Sequence, residues 1–394
     1  MQSRREWDRG RRLRLLYVVT EDWYFLLHRL PMARAARDAG FEVHLATRVS
    51  DGRAAIEAEG ITLHPVPFVR GRIDSIAALR TISTLRRIRR DLNPSVTHHV
   101  SLQSAVLGSL AAIRQPGVRL YAFTGLGHVF VSADIGARVL RTAIGILMRI
   151  LFNGPGAAVL VENPDDAGSL VALGVNRSQV VLILGSGVDV ERLLPSPEPA
   201  GPPKVAFVGR LIEAKGIRTL IEAQRLLRRR GSNVELLVAG MPDPSNPGSI
   251  PADEIAGWGR EPGVTFLGRV QDIPAFWARA AIAVLPSQGG EGVPMSLLEA
   301  AACGRPLVAT DVPGCREIVR TGETGLLVPA NDAPALASAI EILAGSPELR
   351  ANYGSAARRL AVDKFSAVKI GQQTVDLYRH LVGLGEPAEE PLSQ

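Results

Sequence analysis

Short apolar runs alternate with amphipathic segments along the first half of the chain. The apolar runs predict strands over 13–20, 41–47, 61–66, 95–100, 118–123 and 157–161. The segments between them have helical spacing and predict helices over 25–39, 51–59, 74–91, 103–113 and 135–152. Strands that alternate with helices indicate a parallel sheet covered on both faces, which is a doubly wound α/β fold.

A proline-rich segment, PSPEPAGPP at 195–203, interrupts this alternation. Neither a helix nor a central strand tolerates that composition, so we expect an interdomain linker there. The alternation then resumes, with strands predicted over 204–208, 233–239, 264–267, 281–285, 306–309 and 325–328. Helices are predicted over 216–229, 272–279, 295–302, 333–344, 347–363 and 366–383.

The pattern therefore predicts two Rossmann-like domains, whose parallel sheets face each other across a cleft. The predicted domains are 13–194 and 204–365, followed by a helix over 366–384. Residues 1–12 form a basic segment that we expect to be disordered, and 385–394 are expected to be a tail. A chain of 394 residues is long enough for two domains of ordinary size.

Composition excludes several classes of protein. The two cysteines, Cys303 and Cys315, form no C-x-x-C pair, so neither a disulfide framework nor a zinc site is expected. The apolar run after the basic N-terminal segment, Leu13 to Val19, is too short for a secretory signal core. No run of 18 apolar residues is present, so no membrane-spanning helix is predicted. These features indicate a cytoplasmic protein.

Positive charge is concentrated in the first half of the chain. Residues 1–200 contain 25 arginines and no lysine against 18 acidic residues, so this half carries a formal charge of +7. The rest of the chain carries −1, which gives the total of +6. This asymmetry indicates a polyanionic partner, either nucleic acid or an anionic membrane surface. Because aromatic residues make up only 5% of the chain and do not alternate with basic ones, binding of single-stranded nucleic acid is disfavoured.

The predicted helix over 135–152 adds to the membrane hypothesis. At about 100° per residue, Arg138, Arg141 and Arg149 occupy roughly one third of its circumference, and apolar residues cover most of the rest. A basic helix with a wide apolar face suits the surface of an anionic membrane. A core helix packed on two sides explains the same pattern equally well.

The strongest chemical signal lies between residues 281 and 315. An apolar strand leads into a loop with Gly289, Gly290 and Gly292, and Pro294 then begins a helix. A helix N-terminus approached through glycines suits a diphosphate. Glu291 and Glu299 flank this position, and carboxylates accept hydrogen bonds from sugar hydroxyls. The combination predicts a nucleotide-sugar site, although two solvated helix charges are the alternative.

A second motif, Phe207-Val208-Gly209-Arg210, is followed by Lys215-Gly216. Two cations at a strand-to-helix turn suit a diphosphate leaving group. The alternative is an ordinary solvated basic turn. No D-x-D metal motif lies near the glycine-rich stretch, and Arg210, Lys215 and the helix dipole could neutralise a diphosphate in place of a metal. We therefore expect no essential metal.

Weaker signals lie in the first domain. The glycine-rich segment 124–128 follows a predicted strand, and its Gly125, Gly127 and His128 are candidates for the acceptor side of the cleft. His98 and His99 end another strand and are further acceptor-side candidates. The alternatives are an ordinary tight turn and hydrogen-bonded structural histidines. His28 is expected to be structural.

The pattern E-G-V-P-x4-E, followed by A-x3-G-x-P-L-V-A-T-D-V-P-G, resembles the donor site of retaining glycosyltransferases of family four, which have the GT-B fold. The layout extends over 13–380, but the motifs are specific only at 207–216, 285–329 and, less so, 121–127. The resemblance implies that Glu291 contacts the transferred sugar, Glu299 the ribose, and Arg210 and Lys215 the phosphates. His128 lies two residues beyond the expected position of a reacting histidine. The predicted donor site also includes Gly209, Val270, Gly290, Gly292, Val293 and Pro294.

The resemblance further implies a function, which is an expectation at this point. The motif is most similar to those of bacterial enzymes that build polyprenyl-diphosphate-linked glycans, mostly from UDP-sugars such as N-acetylhexosamines. It implies a retaining, metal-independent hexosyltransferase with a nucleotide-sugar donor, no cofactor, a lipid-linked saccharide acceptor, and a peripheral position on the inner face of the cytoplasmic membrane. It also implies that the last helix crosses back to the first domain. A GDP-sugar mannosyl-type transferase and a GT-B sugar-nucleotide epimerase stay open. A subunit that only binds is disfavoured, because the donor residues are all present.

Overall fold

A computed structural model of the chain describes residues 12–69, 75–115, 117–123, 125 and 145–385. The first domain is built on a seven-stranded parallel sheet. Its strands are β1 (Arg14–Glu21), β2 (Glu42–Arg48), β3 (Thr62–Pro65), β4 (Val96–Val100), β5 (Val118–Phe123), β6 (Ala157–Val161) and β7 (Val180–Leu182). Its helices are α1 (Asp22–His28), α2 (Leu30–Asp38), α3 (Arg53–Ala58), α4 (Ser75–Leu92), α5 (Leu102–Ala111), α6 (145–152 in the described part) and α7 (Pro164–Ala172).

The second domain has a six-stranded parallel sheet. Its strands are β8 (Lys204–Val208), β9 (Glu235–Ala239), β10 (Val264–Gly268), β11 (Ile282–Leu285), β12 (Leu307–Thr310) and β13 (Gly325–Val328). Its helices are α8 (Ile217–Arg229), α9 (Ala252–Trp258), α10 (Ile273–Ala278), α11 (Met295–Ala302), α12 (Cys315–Ile318), α13 (Ala333–Gly345), α14 (Pro347–Phe365) and α15 (Ala367–Leu381).

Strand order places the functional edge of each sheet. The first sheet runs β3-β2-β1-β4-β5-β6-β7 and the second β10-β9-β8-β11-β12-β13, so the order reverses between β1 and β4 and between β8 and β11. In doubly wound sheets, ligands bind outside the carboxyl ends of the strands at this switch point. The predicted doubly wound α/β architecture with two Rossmann-like domains is confirmed.

Local differences from the sequence prediction have physical reasons. The predicted helix over 25–39 is two helices, α1 and α2, that meet at Arg29. Pro31 has no N–H to continue the first helix and instead occupies the first turn of the second. The elements β7, α7, α9 and α12 were not predicted. The signals for α7 were present, because Asn163 caps its N-terminus and Pro164 follows.

The chain crosses between the domains at two adjacent places. Val188 donates its N–H to the carbonyl of Phe365 at 2.8 Å, and Ala367 donates to the carbonyl of Val188 at 2.8 Å. After this crossing, α15 packs against α2, and its Tyr378 is fully buried in the core of the first domain. The segment 195–203 is attached to the second domain, since Glu198 pairs with Arg350 at 2.6 Å.

Candidate active site

Two loops meet at the switch point of the second sheet, because β8 and β11 are neighbouring strands. The turn after β8 carries Gly209, Arg210 and Lys215, and the loop after β11 spans 286–294. Gly216 adopts φ +71°, and a Cβ at this position would lie 1.8 Å from the carbonyl oxygen of Pro286. Only glycine permits both the left-handed backbone and this close approach, so the two loops pack directly on each other.

Lys215 and Glu291 are in contact although 76 residues separate them. The Lys215 Nζ lies 2.5 Å from the Glu291 Oε1, and Ser287 donates its hydroxyl to the same oxygen at 2.6 Å. Both charged side chains are largely shielded from solvent, with exposures of 19% and 15%. The predicted cation turn and the predicted glutamate loop therefore form one site. Ser287 was not predicted, and no motif distinguished it.

Arg210 has a partner that the sequence did not reveal. Its Nη1 lies 2.8 Å from the Oδ2 of Asp243, which is nearly buried in the loop after β9. This pair holds the guanidinium at the carboxyl edge of the sheet, and Arg210 is still 44% exposed. The remaining N–H groups of Arg210 can reach an anionic ligand, because a guanidinium presents five donors.

The loop 286–294 leads into the N-terminus of α11, with Pro294 as the N-cap residue. Gly290 has φ +73°, and a Cβ on Gly314 would lie 1.5 Å from the carbonyl oxygen of Gly292. The loop is thus held by close backbone packing. The N–H of Val293 donates to Glu162 of the first domain at 3.3 Å, so this amide already has an acceptor.

Glu299 lies in the second turn of α11 and is partly buried. Burial raises the pKa of its carboxyl to about 7, against a smaller opposing effect of the Arg192 charge. No hydrogen bond joins this carboxylate to the described residues. A shielded carboxylate without a partner is suited to accept hydrogen bonds from ligand hydroxyls.

Gly125 brings the first domain against the loop 286–294. Its φ is +101°, and a Cβ there would lie 2.2 Å from the carbonyl oxygen of Gly290. The other members of the predicted segment, Gly127 and His128, lie outside the described residues. Gly125 therefore lines the junction between the domains opposite the glycine-rich loop.

The assignment of His98 and His99 to the acceptor side is wrong. Both side chains are fully buried within the first domain, on opposite faces of β4. The Nδ1 of His98 lies 2.6 Å from the hydroxyl of Tyr378, and the ring of His99 stacks on Tyr121 with the centroids 5.3 Å apart. A strand that is covered on both faces by helices buries consecutive side chains. Neither ring can contact an acceptor.

His28 lies where the sequence gave no functional expectation. It ends α1, which begins at the carboxyl end of β1, and its ring packs on Tyr24 with a centroid distance of 4.3 Å. Burial, together with the positive charges of Arg29, Lys215 and Arg210, lowers the pKa of His28 to about 3. The imidazole of His28 is therefore neutral, and it lies close enough to the two cations of the second domain to be affected by their charges.

Val270 follows β10 and is half-buried against the core of the second domain. It lies at the same carboxyl edge as the loops after β8 and β11, because all strands of this sheet are parallel. Among the described residues, no cluster of three or more His, Cys, Asp or Glu side chains could hold a metal ion. No helix in the described ranges is long and apolar enough to cross a membrane.

Two doubly wound parallel-sheet domains, with cations and carboxylates paired at the switch point of the second sheet, are the architecture of the GT-B fold. Two family models match the chain, "Glycosyl transferase 4-like" over residues 14–149 and "Glycosyl transferases group 1" over residues 202–346. Together they match most of both domains. The chain belongs to the family-four type of glycosyltransferases with the GT-B fold, which confirms the sequence resemblance.

Similar proteins include a bacterial transferase and two solved structures. The chain is 25% identical over 369 residues to the N,N'-diacetylbacillosaminyl-diphospho-undecaprenol α-1,3-N-acetylgalactosaminyltransferase of Campylobacter jejuni, covering 90% of this chain and 95% of the relative. Sucrose-phosphate synthase from Thermosynechococcus elongatus has a TM-score of 0.79 at 22% identity, covering 94% of this chain and 99% of that structure. HepE from Anabaena, solved with UDP and glucose, has a TM-score of 0.75 at 18% identity, covering 93% and 99%.

Proposed function

We propose that the protein is a retaining, metal-independent hexosyltransferase that moves a sugar from a UDP-sugar to a lipid-linked saccharide in the synthesis of a bacterial surface glycan. The contact between Lys215 and Glu291 carries this proposal. It joins a cation suited to a diphosphate with a carboxylate suited to a sugar, at the one edge of the sheet where ligands of this fold bind.

The proposed reaction assigns a role to each group. The diphosphate leaves from the anomeric carbon, and Arg210 and Lys215 stabilise the charge that develops on it. The acceptor hydroxyl attacks from the same face and gives its proton to an oxygen of the leaving phosphate. Glu291 orients the transferred sugar and is not a nucleophile. Lys215 then contacts both Glu291 and the phosphate, which places the sugar-binding and phosphate-binding groups next to each other.

Two comparisons support the choice of substrates. HepE was solved with UDP and glucose, and Glu299 offers a carboxylate for the hydroxyls of a ribose. The Campylobacter relative is named for an undecaprenyl-diphosphate-linked saccharide. The first supports the proposal of a UDP-sugar donor, and the second supports the proposal of a polyprenyl-diphosphate-linked acceptor.

The first domain is proposed to dock on an anionic membrane. Ile76 and Leu79 near the start of α4 are 63% and 67% exposed. At about 100° per residue they share one face of α4 with Arg86, Arg87 and Arg90, which are exposed. Apolar residues beside arginines suit the interface of anionic lipid. In α6, Ile146 and Ile150 are exposed, whereas Met148 and Phe152 are buried. Arg138 and Arg141 lie outside the described residues.

A thermal-shift screen of UDP-, GDP- and ADP-sugars tests the donor. UDP-sugars are expected to raise the melting temperature of the wild-type protein, because a ligand that binds only the folded state stabilises it by RT ln(1 + [L]/Kd). The shift is expected to be smaller for Lys215→Ala, which lacks one phosphate contact and therefore binds the donor more weakly. A shift produced only by GDP-sugars would replace the proposed donor. Equal shifts in wild type and Lys215→Ala would contradict the proposed site.

A further inference from the structure

One buried carboxylate connects both walls of the cleft. Glu162 directly follows β6 and has a side-chain exposure of 2%. Its Oε1 accepts from the Nη2 of Arg29 at 3.1 Å and from the hydroxyl of Ser186 at 3.2 Å. Its Oε2 accepts from the N–H of Val293 at 3.3 Å. Glu162 thus binds three donors with its two oxygens.

The three donors come from different parts of the molecule. Arg29 joins α1 to α2 and is the residue next to His28. Ser186 lies in the segment where the chain crosses between the domains. Val293 belongs to the second domain, two residues from Glu291. Glu162 therefore links the end of α1 with the loop that carries Glu291.

Neighbouring contacts hold the same junction. Asn163, the residue after Glu162, donates its Nδ2 to the carbonyl of Glu291 at 3.4 Å. Gly185, with φ +72°, lies so close to the loop that a Cβ there would be 3.1 Å from the Cβ of Val293. The position of residues 291–293 is thus set by the first domain and by the interdomain crossing as well as by the second domain.

The three hydrogen-bond donors around Glu162 require an acceptor on each of its two oxygens, which a carboxylate provides. Burial raises the pKa of Glu162, and the Arg29 charge and the three hydrogen bonds oppose that effect. The fully buried guanidinium of Arg29 compensates the charge. A glutamine has one acceptor oxygen and one NH2 group, so it would turn a donor toward either Arg29 or Val293. One donor at this junction would then face another donor.

We propose that Glu162 is a positioning residue that fixes the loop 290–293 and α1 relative to each other by accepting from Val293 and Arg29 at the same time. The catalytic consequence rests on the function proposed above. The structural consequence does not, because the bond to the Val293 N–H can be measured without any substrate.

The test compares Glu162→Gln with wild type by hydrogen exchange and by kinetics. Peptides spanning 286–298 are expected to exchange about tenfold faster in the variant, because the Val293 N–H loses a charged acceptor. With a donor that the wild type uses, kcat is expected to fall about tenfold to a hundredfold, whereas the affinity for free UDP changes less than about threefold. The affinity for UDP is expected to change little because Glu299, Arg210 and Lys215 stay in place, whereas kcat falls because the loop that carries Glu291 is displaced.

Two further variants control for stability and folding. Arg89→Met removes a buried arginine that donates to Thr97 and Gln115 elsewhere in the first domain, so it destabilises the protein without contacting the loop. The double variant Arg29→Met/Glu162→Leu replaces the buried pair by apolar side chains, which folded proteins often tolerate. It still removes the acceptor of Val293, and it is expected to show the faster exchange of 286–298 even if Glu162→Gln alone does not fold.

Unchanged exchange of 286–298 in the double variant would overturn the proposal. A loss of kcat that is equal in Glu162→Gln and Arg89→Met would also overturn it, since a general loss of stability would then explain the effect. If the wild type turns over no nucleotide-sugar, the proposed function fails, and the exchange measurement still decides the role of Glu162.

Discussion

Replacing Gly125 by alanine tests the contact between the two domains at the glycine-rich loop. The new Cβ would lie 2.2 Å from the carbonyl oxygen of Gly290 and 2.9 Å from the carbonyl carbon of Glu291. Both are backbone atoms, so no side chain can turn away to make room. Gly40→Ala is the matched control, because Gly40 has φ +94° against +101° at Gly125, and a Cβ there would meet no atom within 4 Å.

Both substitutions strain the backbone to a similar extent, but only Gly125→Ala also creates a steric clash. Each places alanine in the left-handed region, which costs about 1–2 kcal/mol of stability. Only Gly125→Ala must also separate two backbones, from 2.2 Å to an ordinary contact of 3.4 Å, a displacement of about 1.2 Å. A misplacement of about 1 Å at a reacting centre reduces turnover by about a hundredfold. We therefore expect Gly125→Ala to lose about a hundredfold in kcat and Gly40→Ala less than about threefold.

The assay follows release of UDP from the donor that the thermal-shift screen identifies, with urea unfolding of both variants in parallel. A much larger loss of kcat in Gly125→Ala than in Gly40→Ala, with both variants fully folded under the assay conditions, would support the contact. If Gly125→Ala retained the kcat of Gly40→Ala, the two loops would not need their close approach for catalysis, and the argument from backbone packing would be wrong.

Four further predictions concern the site and the membrane. Because burial raises the pKa of Glu299 from 4.5 to about 7, folding takes up a proton between these values, and wild-type stability falls as pH rises from about 4.5 to 7. Glu299→Gln should remove this fall in the free energy of unfolding, which is at most about 3 kcal/mol and is measured by urea unfolding at pH 5 and pH 8. An equal change of unfolding free energy with pH in wild type and variant would contradict this prediction. Glu299→Ala should weaken UDP binding by about 1–3 kcal/mol in calorimetry, and unchanged affinity would refute the ribose role. Arg210→Ala and Lys215→Ala should each reduce turnover about a hundredfold, and EDTA should leave wild-type activity intact, whereas loss restored by magnesium would refute metal independence. Charge reversal on α4 should abolish sedimentation with anionic liposomes at low salt, and the same change on the second domain should not; equal sedimentation of the two variants would refute docking through α4. The reversed residues are Arg86, Arg87 and Arg90, and those of the control are Arg260, Arg279 and Arg359.

The sequence predicted the fold, and it placed both donor motifs at the carboxyl edge of a sheet, because these predictions depend on local pattern. Alternating strands and helices imply parallel sheets, and Lys215 and Glu291 each follow a strand, so their loops share the carboxyl edge. That β8 and β11 are neighbours could not be read locally, and the structure supplies it.

The residues that the sequence did not reveal have partners far along the chain. Asp243 lies 33 residues from Arg210, and Glu162 lies 131 residues from Val293. Neither sits in a local motif, so only the folded chain shows their roles. The acceptor-side prediction for His98 and His99 was wrong for the opposite reason. Their position at the end of a strand indicated the cleft, but a central strand in a sheet covered on both faces buries both side chains.

The proposed retaining transfer is tested most directly by a transfer reaction followed by proton NMR. Purified protein is incubated with a UDP-hexose or UDP-N-acetylhexosamine and a polyprenyl-diphosphate-linked saccharide, and the anomeric proton of the transferred sugar is observed in the product. We expect release of UDP that depends on the acceptor, and a product with the same anomeric configuration as the donor. An inverted product, or conversion of the donor without acceptor, would contradict the proposed retaining transfer.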